Sequence, residues 1–479
     1  SGARFDFDDY NENHIFNKFE DQFESFKKIK GCGFEIDYNT EFKGTLFRLP
    51  LRQNGIESSI SDNVDNIDNI LKLLNMIKKE AMSELIFLRN VKSFEVFRKA
   101  SKESNPTLLW KVEITNNSEI RKLYGKESQV FKLDVQFSDK TRLFSFTERK
   151  PRTWLISSGK NDFSLNRLGT WGGVAILVPE RPEIPMTLSE TIQNGKFYSY
   201  LSLSIPSGLS VNLHASGWAL SSDRRSIVFD GDNQTCIKND AKTTQNKNIL
   251  DKILPKLHVK LFEEYLKLEA TYRARLQKNS DFQGILRLWP IPANKNAEIT
   301  TYGVRVIQLA AEGDSKIFWS PLNGGTYVNF KQSVFLTKKT PPTEVHPAII
   351  NLLHDQERPT VLLDDKNLEE LQSLNPQKAD SPFIRSVLKN NEFLSNIREE
   401  YLFVLLRYIL EDKKYDDLED IPLVPLFNNQ FGKFDKTKTY YIASKEEFKM
   451  FHKTGPRYFI PKELLKAQKL LPIFSDEDF

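Results

Sequence analysis

Apolar residues along this chain switch between two spacings, and the switch predicts a protein with both helices and a sheet. Phe16, Phe19, Phe23 and Phe26 recur at steps of three and four, the spacing of one helical face. The run Phe42–Leu51 (FKGTLFRLPL) reads as a strand, with Pro50 restricting it to an edge or an exit. Val64, Ile67, Ile70, Leu71, Leu74 and Ile77 predict a helix from Ser61 to Lys79, capped by Ser61 or Asp62. Strands are then expected at Glu84–Arg89, Val91–Arg98, Leu108–Ile114, Val130–Phe137 and Thr153–Ser157. The alternation of Phe131, Leu133, Val135 and Phe137 predicts a sheet with one solvated face.

Leu168–Pro179 (LGTWGGVAILVP) reads as a Gly-rich bend entering a buried strand, and Phe197–Ile205 and Val211–Ala219 as further strands. A polar loop is expected at 232–247, followed by a long amphipathic helix, Ile249–Leu276, whose first turn holds Pro255. After residue 280 the pattern breaks into short Pro- and Gly-punctuated elements, with helices expected near 346–355 and 383–411. A domain boundary is therefore placed near 280. No period of 20–50 residues recurs, which excludes a solenoid.

At 479 residues the chain has room for two to four domains. Its 68 basic and 64 acidic residues nearly cancel, which excludes a polybasic nucleic-acid arm. The sequence pI of about 8.6 is all that points to nucleic acid. Mean hydropathy is −0.47, and the longest apolar runs, such as Tyr401–Leu410, are too short and too charged to span a bilayer. The 35 Phe against 4 Met predict cores built from rings. Cys32 and Cys236 form no paired motif, so neither a disulfide scaffold nor a zinc site is expected, and a reducing, cytoplasmic setting is. The start, SGARFDFDDY, carries no leader pattern and no Met, and is read as the start of a fragment.

Catalytic signatures are sparse. No P-loop string occurs, and Gly169, Gly172 and Gly173 read as a tight turn. Among the six histidines no H-E-x-x-H appears; His346 and His354 read as incidental residues of one helix. His214 precedes Ser216-Gly217 without a G-x-S-x-G elbow. Phe5–Asp9 reads as an acidic terminus, and the basic runs Lys27–Lys30 and Arg149–Arg152 as solvated loops. Arg224 and Arg225 differ in context, since they lie between a sheet and the long helix. An arginine there can bind a phosphate bidentately and stabilise charge in phosphoryl transfer; the bland alternative is a surface pair bridged to Asp223 or Asp230.

The string Phe42–Arg52 with Asp21-Gln22-Phe23 resembles part of a sacsin-type repeat. Trp171–Ala175, His214–Gly217 through Ser222–Arg225, Ile421–Leu426 and Phe431-Gly432 follow in the same order. Heavy use of Asn, Lys and Phe suits a divergent relative, fungal or protist. Sacsin-type repeats are similar to the GHKL ATPases and the ninety-kilodalton heat-shock chaperones. That superfamily's nucleotide motifs precede the Gly-Thr strand, and none of them is found in this chain. The resemblance thus implies an α/β (α+β) protein in three parts. Residues 1–55 would end a nucleotide-binding domain, 56–280 would form a mixed-sheet middle-type domain, and 281–479 a second α+β domain.

The resemblance carries two sites over. Thr45 matches the position under the adenine, and Arg224 or Arg225 matches the arginine that reaches the γ-phosphate. It implies a chaperone or co-chaperone segment that meets protein clients, with no nucleic-acid or membrane partner. No activity or cofactor is expected of the chain alone, and ATP with Mg only where an upstream core is present. The alternative is a non-catalytic interaction scaffold with a degenerate ATPase.

Overall fold

The computed structural model describes residues 66–98, 107–116, 119–124, 128–139, 147–148, 151–160, 170–178, 195–229, 241–276, 297–320, 325–337, 339, 341–354, 356–363, 365–389, 398–411, 418–427, 431–435, 437–453 and 458–471. The Phe16–Phe26 face, the Phe42–Leu51 run and Thr45 lie outside the described residues. The chain divides into two compact units. The first holds residues up to Arg181, Gly195–Ser207 and Val211–Ile249; the second holds Pro182–Asn194, Gly208–Ser210 and everything from Leu250.

The first unit opens with helix α1, Ile67–Glu84. Its N-cap is Asn66, whose Oδ1 accepts the Asn69 N–H at 2.9 Å. The helix runs past the expected end at Lys79 and takes in the start of the expected strand Glu84–Arg89. Leu85–Phe87 is instead one tight helical turn. Leu85, Ile86 and Phe87 are all buried in succession, and the carbonyls of this turn face long-range side chains. Side chains rather than a neighbouring strand satisfy the backbone here. Buried Arg121, on the turn Ile120–Leu123, reaches through Nη1 to the carbonyls of Leu85 (3.4 Å), Leu88 and Val91 (2.7 Å). The Tyr124 hydroxyl donates to the Ile86 carbonyl at 2.6 Å. Desolvation lowers the pKa of Arg121, yet a guanidinium keeps its proton, so a full charge is held against the negative end of α1.

The strands are β1 (Ser93–Arg98), β2 (Thr107–Ile114), β3 (Gln129–Asp139), β4 (Thr147–Glu148), β5 (Arg152–Lys160), β6 (Trp171–Leu177), β7 (Lys196–Ser199), β8 (Leu201–Pro206) and β9 (Asn212–Ala215). They form one mixed sheet in the order β1-β2-β3-β5-β6-β9-β7-β8, with β4 on β3; among these pairs only β7 and β9 run parallel. The expected single strand Phe197–Ile205 is the hairpin β7–β8, turned at Tyr200, whose φ is +72°. Nor is one face of the sheet simply solvated. β3 alternates as expected, but β5 and β6 are buried on both faces.

Gly172 and Gly173 lie within β6 and not in a turn. A Cβ on Gly173 would stand 2.7 Å from Phe87 Cε1, so glycine lets the ring lie on the sheet. Helix α2, Ala241–Asn248, closes the unit within the stretch expected to be a polar loop.

In the second unit a π-turn, Ile249–Ile253, leads into α3 (Leu254–Leu276), and α4 follows at Ala297–Glu312. His258 Nδ1 and the Tyr302 hydroxyl bond across these two helices at 2.7 Å, both side chains buried. A core of aliphatic residues gathers around α5 (His346–His354), α7 (Ser381–Lys389) and α8 (Glu399–Leu410), while α6 (Asp365–Glu370) lies between α5 and α7 in the chain. The helix expected over 383–411 is thus two helices.

Short strand pairs surround this core. They are β10/β11 (Phe318–Ser320, Thr326–Val328), β12/β13 (Val334–Leu336, Thr360–Leu362), β14/β15 (Val424–Pro425, Phe431–Gly432) and β16/β17 (Tyr440–Ala443, Tyr458–Pro461). The parallel pairs need a crossover. α5 lies between β12 and β13, and α9 (Lys445–Phe451) between β16 and β17, before α10 (Lys462–Ala467) ends the described chain's helices. The architecture is α+β with a large mixed sheet.

Replacing Arg121 by Met keeps the apolar stem and strands the carbonyls it serves. We expect a loss of about 3 kcal/mol of unfolding free energy, read by urea denaturation of the full chain.

Candidate functional site

The candidate site is the loop Ser221–Ser226, which carries both predicted arginines. A bridge between Leu220 and Ile227 closes it, and the Ser221 N–H donates to the Ser226 carbonyl at 2.9 Å. The Arg224 N–H donates back to the Ser221 carbonyl at 2.9 Å, a turn that places Arg224 at φ +57°. A non-glycine residue held there costs about 1 kcal/mol, which the surrounding bonds must offset.

They are numerous. The Ser221 hydroxyl accepts the Ser226 N–H at 3.1 Å, and the Arg225 carbonyl accepts the Ser204 N–H of β8 at 3.2 Å. Asp223 Oδ1 accepts from the Ser221 hydroxyl at 2.5 Å and from the Arg225 N–H at 3.1 Å. These donors, the hydroxyl first, hold the Asp223 carboxyl below its ordinary pKa. Asp223 therefore serves the loop's backbone, and among the described residues neither guanidinium forms an ion pair with it. Asp230 lies outside the described residues. Both arginines are exposed.

The loop's base is fixed by a residue that sequence reading missed. Asn246 of α2 is fully buried; its Oδ1 accepts the Ala219 N–H at 2.8 Å, and its Nδ2 donates to the carbonyls of Ala219 (2.8 Å) and Val228 (2.9 Å). One amide thus clamps both stems of the loop. Gln245 adds a bond from Nε2 to the Gly217 carbonyl. The signal for Asn246 was faint, because it sits in an Asn/Thr-rich run with little apolar periodicity.

What the loop can do follows from its parts. Two adjacent guanidiniums project from a locked backbone into solvent, where they can grip a phosphate without first losing loop entropy. Nothing in the geometry selects one arginine over the other.

His214 plays another role. It is buried on β9, and its Nδ1 accepts the Tyr200 N–H at 3.3 Å, which leaves the proton on Nε2. The ring stacks on Phe87 at 4.8 Å and lies 4.1 Å from Trp171, centre to centre. Burial pulls its pKa from 6.5 down to about 3, with Arg89 a lesser cause. Ser216 Oγ is occupied as acceptor of the Trp171 N–H at 3.1 Å, so no nucleophile–base pair forms here. His346 Nε2 lies 3.0 Å from the Pro341 carbonyl, and no metal-ligand cluster occurs among the described residues.

Two predictions follow from this geometry. Asn246→Ala should cost about 2–3 kcal/mol and speed hydrogen exchange at the Ala219 amide, since donors and acceptors of both stems lose their partner. His214 is held neutral in the fold, while the unfolded chain takes up a proton below pH 6.5. Its contribution is whole above pH 6.5 and is lost as pH falls toward 3, at up to about 1.4 kcal/mol per pH unit. Urea midpoints between pH 4 and 7 should fall less steeply in His214→Phe.

A model of the sacsin domain matches residues 2–111, which in the described chain reach from α1 into β2. Human sacsin is 22% identical over 481 residues, covering 90% of this chain. The chain spans about a tenth of that relative's length, the covered share being 10%. No described helix is long and apolar enough to cross a membrane. In sequence, then, the chain is sacsin-like.

Proposed function

We propose that this chain is the segment following the ATP-binding core of a sacsin-like chaperone or co-chaperone. In this reading Arg224 and Arg225 sense the γ-phosphate of a nucleotide held by a GHKL-type core. Thr45, under the adenine, would be the last part of that core in this chain. The observation that carries the reading is the pair of exposed guanidiniums on a loop pinned by Asn246 and Asp223, within a chain that is sacsin-like over most of its length. ATP with Mg would supply the phosphoryl group. The two arginines would donate to its oxygens and stabilise the charge that develops as the terminal phosphate departs. Protein clients or co-chaperones would be the partners, and the setting cytoplasmic.

A second reading, a non-catalytic interaction scaffold, draws on exposed apolar side chains of the second unit. Met450 is 70% exposed, and Phe451 and Tyr441 are 45% and 42% exposed. Partly exposed aromatic and Met side chains suit a protein partner.

In a longer protein that includes the core, the double variant Arg224→Ala/Arg225→Ala should lower ATP turnover by roughly 100-fold. Nucleotide binding should change little. Unaltered turnover in both single variants and the double would end the sensor role. The 479 residues alone should show no turnover, and activity in them would place the catalytic core elsewhere than proposed.

A further inference from the structure

Strand β8 ends the sheet, and two of its N–H groups bond outside the ladder. The Ser204 N–H donates to the Arg225 carbonyl at 3.2 Å, which ties the arginine loop to the strand. Two residues earlier, the Ser202 N–H donates at 2.8 Å to Oε2 of Glu84, the last residue of α1. Glu80, one turn back on α1, adds an ion pair to Lys196 of β7 at 2.6 Å. That pair is partly exposed and contributes little. The Glu84 bond differs in kind. Its second carboxylate oxygen, Oε1, is buried without a hydrogen-bond partner among the described residues. A buried carboxylate served on one oxygen only is costly, so general stability does not account for it.

We infer that Glu84 is a positioning residue: it fixes β8 against the end of α1, and β8 fixes the arginine loop through the Arg225 carbonyl. Asn246 clamps the stems of the loop at Ala219 and Val228. The loop itself, Ser221–Ser226, bonds mostly within its own residues, through Ser221, Asp223 and Ser226. Among the described residues its hydrogen bond to the sheet is the one from Ser204. That part of β8 is weakly held by its own ladder. The register with β7 slips between Lys196 and Tyr198, and no residue from Leu203 to Ile205 has a partner on β7. The strand therefore needs an outside anchor, and Glu84 supplies it two residues from Ser204. What the anchor requires is an acceptor oxygen at that reach, not a charge. This tie is independent of the phosphate-sensing reading, while its effect on turnover rests on it. There a displacement of about 1 Å in a group that meets the phosphate can cost up to roughly 100-fold in rate.

The test has two arms. In the full chain, Glu84→Leu should speed hydrogen exchange at the Ser204 amide by about tenfold or more. The Ala219 amide and those of β3 and β5 should keep their protection, and the urea midpoint should move little, because the lost bond and the relieved buried charge offset. Glu84→Gln, which keeps an acceptor at the same reach, should exchange like the wild type. In a longer protein that includes the core, Glu84→Leu should lower kcat for ATP by about tenfold with KM unchanged, and Glu84→Gln should restore it. Unchanged exchange at Ser204 in Glu84→Leu would overturn the inference, as would a Glu84→Gln variant that fails to restore it. Faster exchange spread over β3 and β5, with a lower urea midpoint, would also overturn it, since Glu84 would then only support the core. If Ser204 alone loosens and turnover stays unchanged, the arginine variants decide. Where they lower turnover, Glu84 does not position them; where they do not, the phosphate-sensing reading fails and the tie stands.

Discussion

Arg121 brings a full positive charge into the interior of the first unit, and the surrounding structure depends on how that charge is satisfied. Among the described residues no carboxylate hydrogen-bonds it. The partners are the carbonyls of Leu85, Leu88 and Val91, in the turn and the segment that follow α1. An isolated buried charge would be prohibitive, but the negative end of a helix with several carbonyls pointing at one guanidinium is a good substitute for solvent. The second unit repeats the device. Buried Arg385 donates to the Ile409 carbonyl at 2.9 Å near the end of α8, and Arg407 to the Gln468 carbonyl at 2.9 Å just past α10. In each case a long cationic side chain ends a helix that no glycine terminates, and ties it to a distant part of the chain.

Asn246 applies the same logic with an amide. Between β9 and α2 the described residues 216–229 form no named strand and have few ladder bonds, so several of their N–H and C=O groups find side chains. Asn246 offers an acceptor and two donors, and all three are used on Ala219 and Val228. Because that residue sits on a helix, the loop's position is set by the body of the unit rather than by its own short strands. Within the loop, Asp223 holds two backbone and hydroxyl donors and so leaves the guanidiniums beside it unengaged. A loop whose backbone is tied down while its two guanidiniums stay exposed is preorganised for an anion.

The parts legible in sequence were those whose burial follows a simple period. β2, β3 and β5 emerged from alternation, α1 and α3 from the helical repeat, and the Arg224-Arg225 pair from its place at a junction. The errors mark where tertiary contacts overrode local pattern. Glu84–Arg89 has the composition of a strand, yet its carbonyls turn toward Arg121 and Tyr124, partners more than thirty residues away. Phe197–Ile205 alternates well, but Tyr200 enters the left-handed region, where its N–H meets His214, and the run folds into a hairpin. α4 was hidden because Gly303 and paired threonines dilute its periodicity, although Tyr302, Val306 and Ile307 are all buried. Asn246 was illegible for a plainer reason: nothing about a single Asn in a polar run tells which backbone it will face.

The abundance of Phe acquires a mechanical sense beside the glycines. Phe87 lies on β6 only because Gly173 has no side chain, and His214 and Tyr198 close around it, with ring centres at 4.8 and 5.1 Å. In the second unit Trp319 lies over Gly325, where a Cβ would come within 2.1 Å of the indole. A ring set against a bare backbone brings large flat surfaces into contact at low entropic cost, since an aromatic side chain has few torsions to freeze. Rings packed this way resist sliding, because any shift that moves the ring meets a neighbouring Cβ. The stack over β6 sits one strand from β9, and β9 leads directly into the segment that Asn246 clamps. His214, a member of this stack, lies on β9 itself, so the rings and the clamped segment are consecutive in the chain.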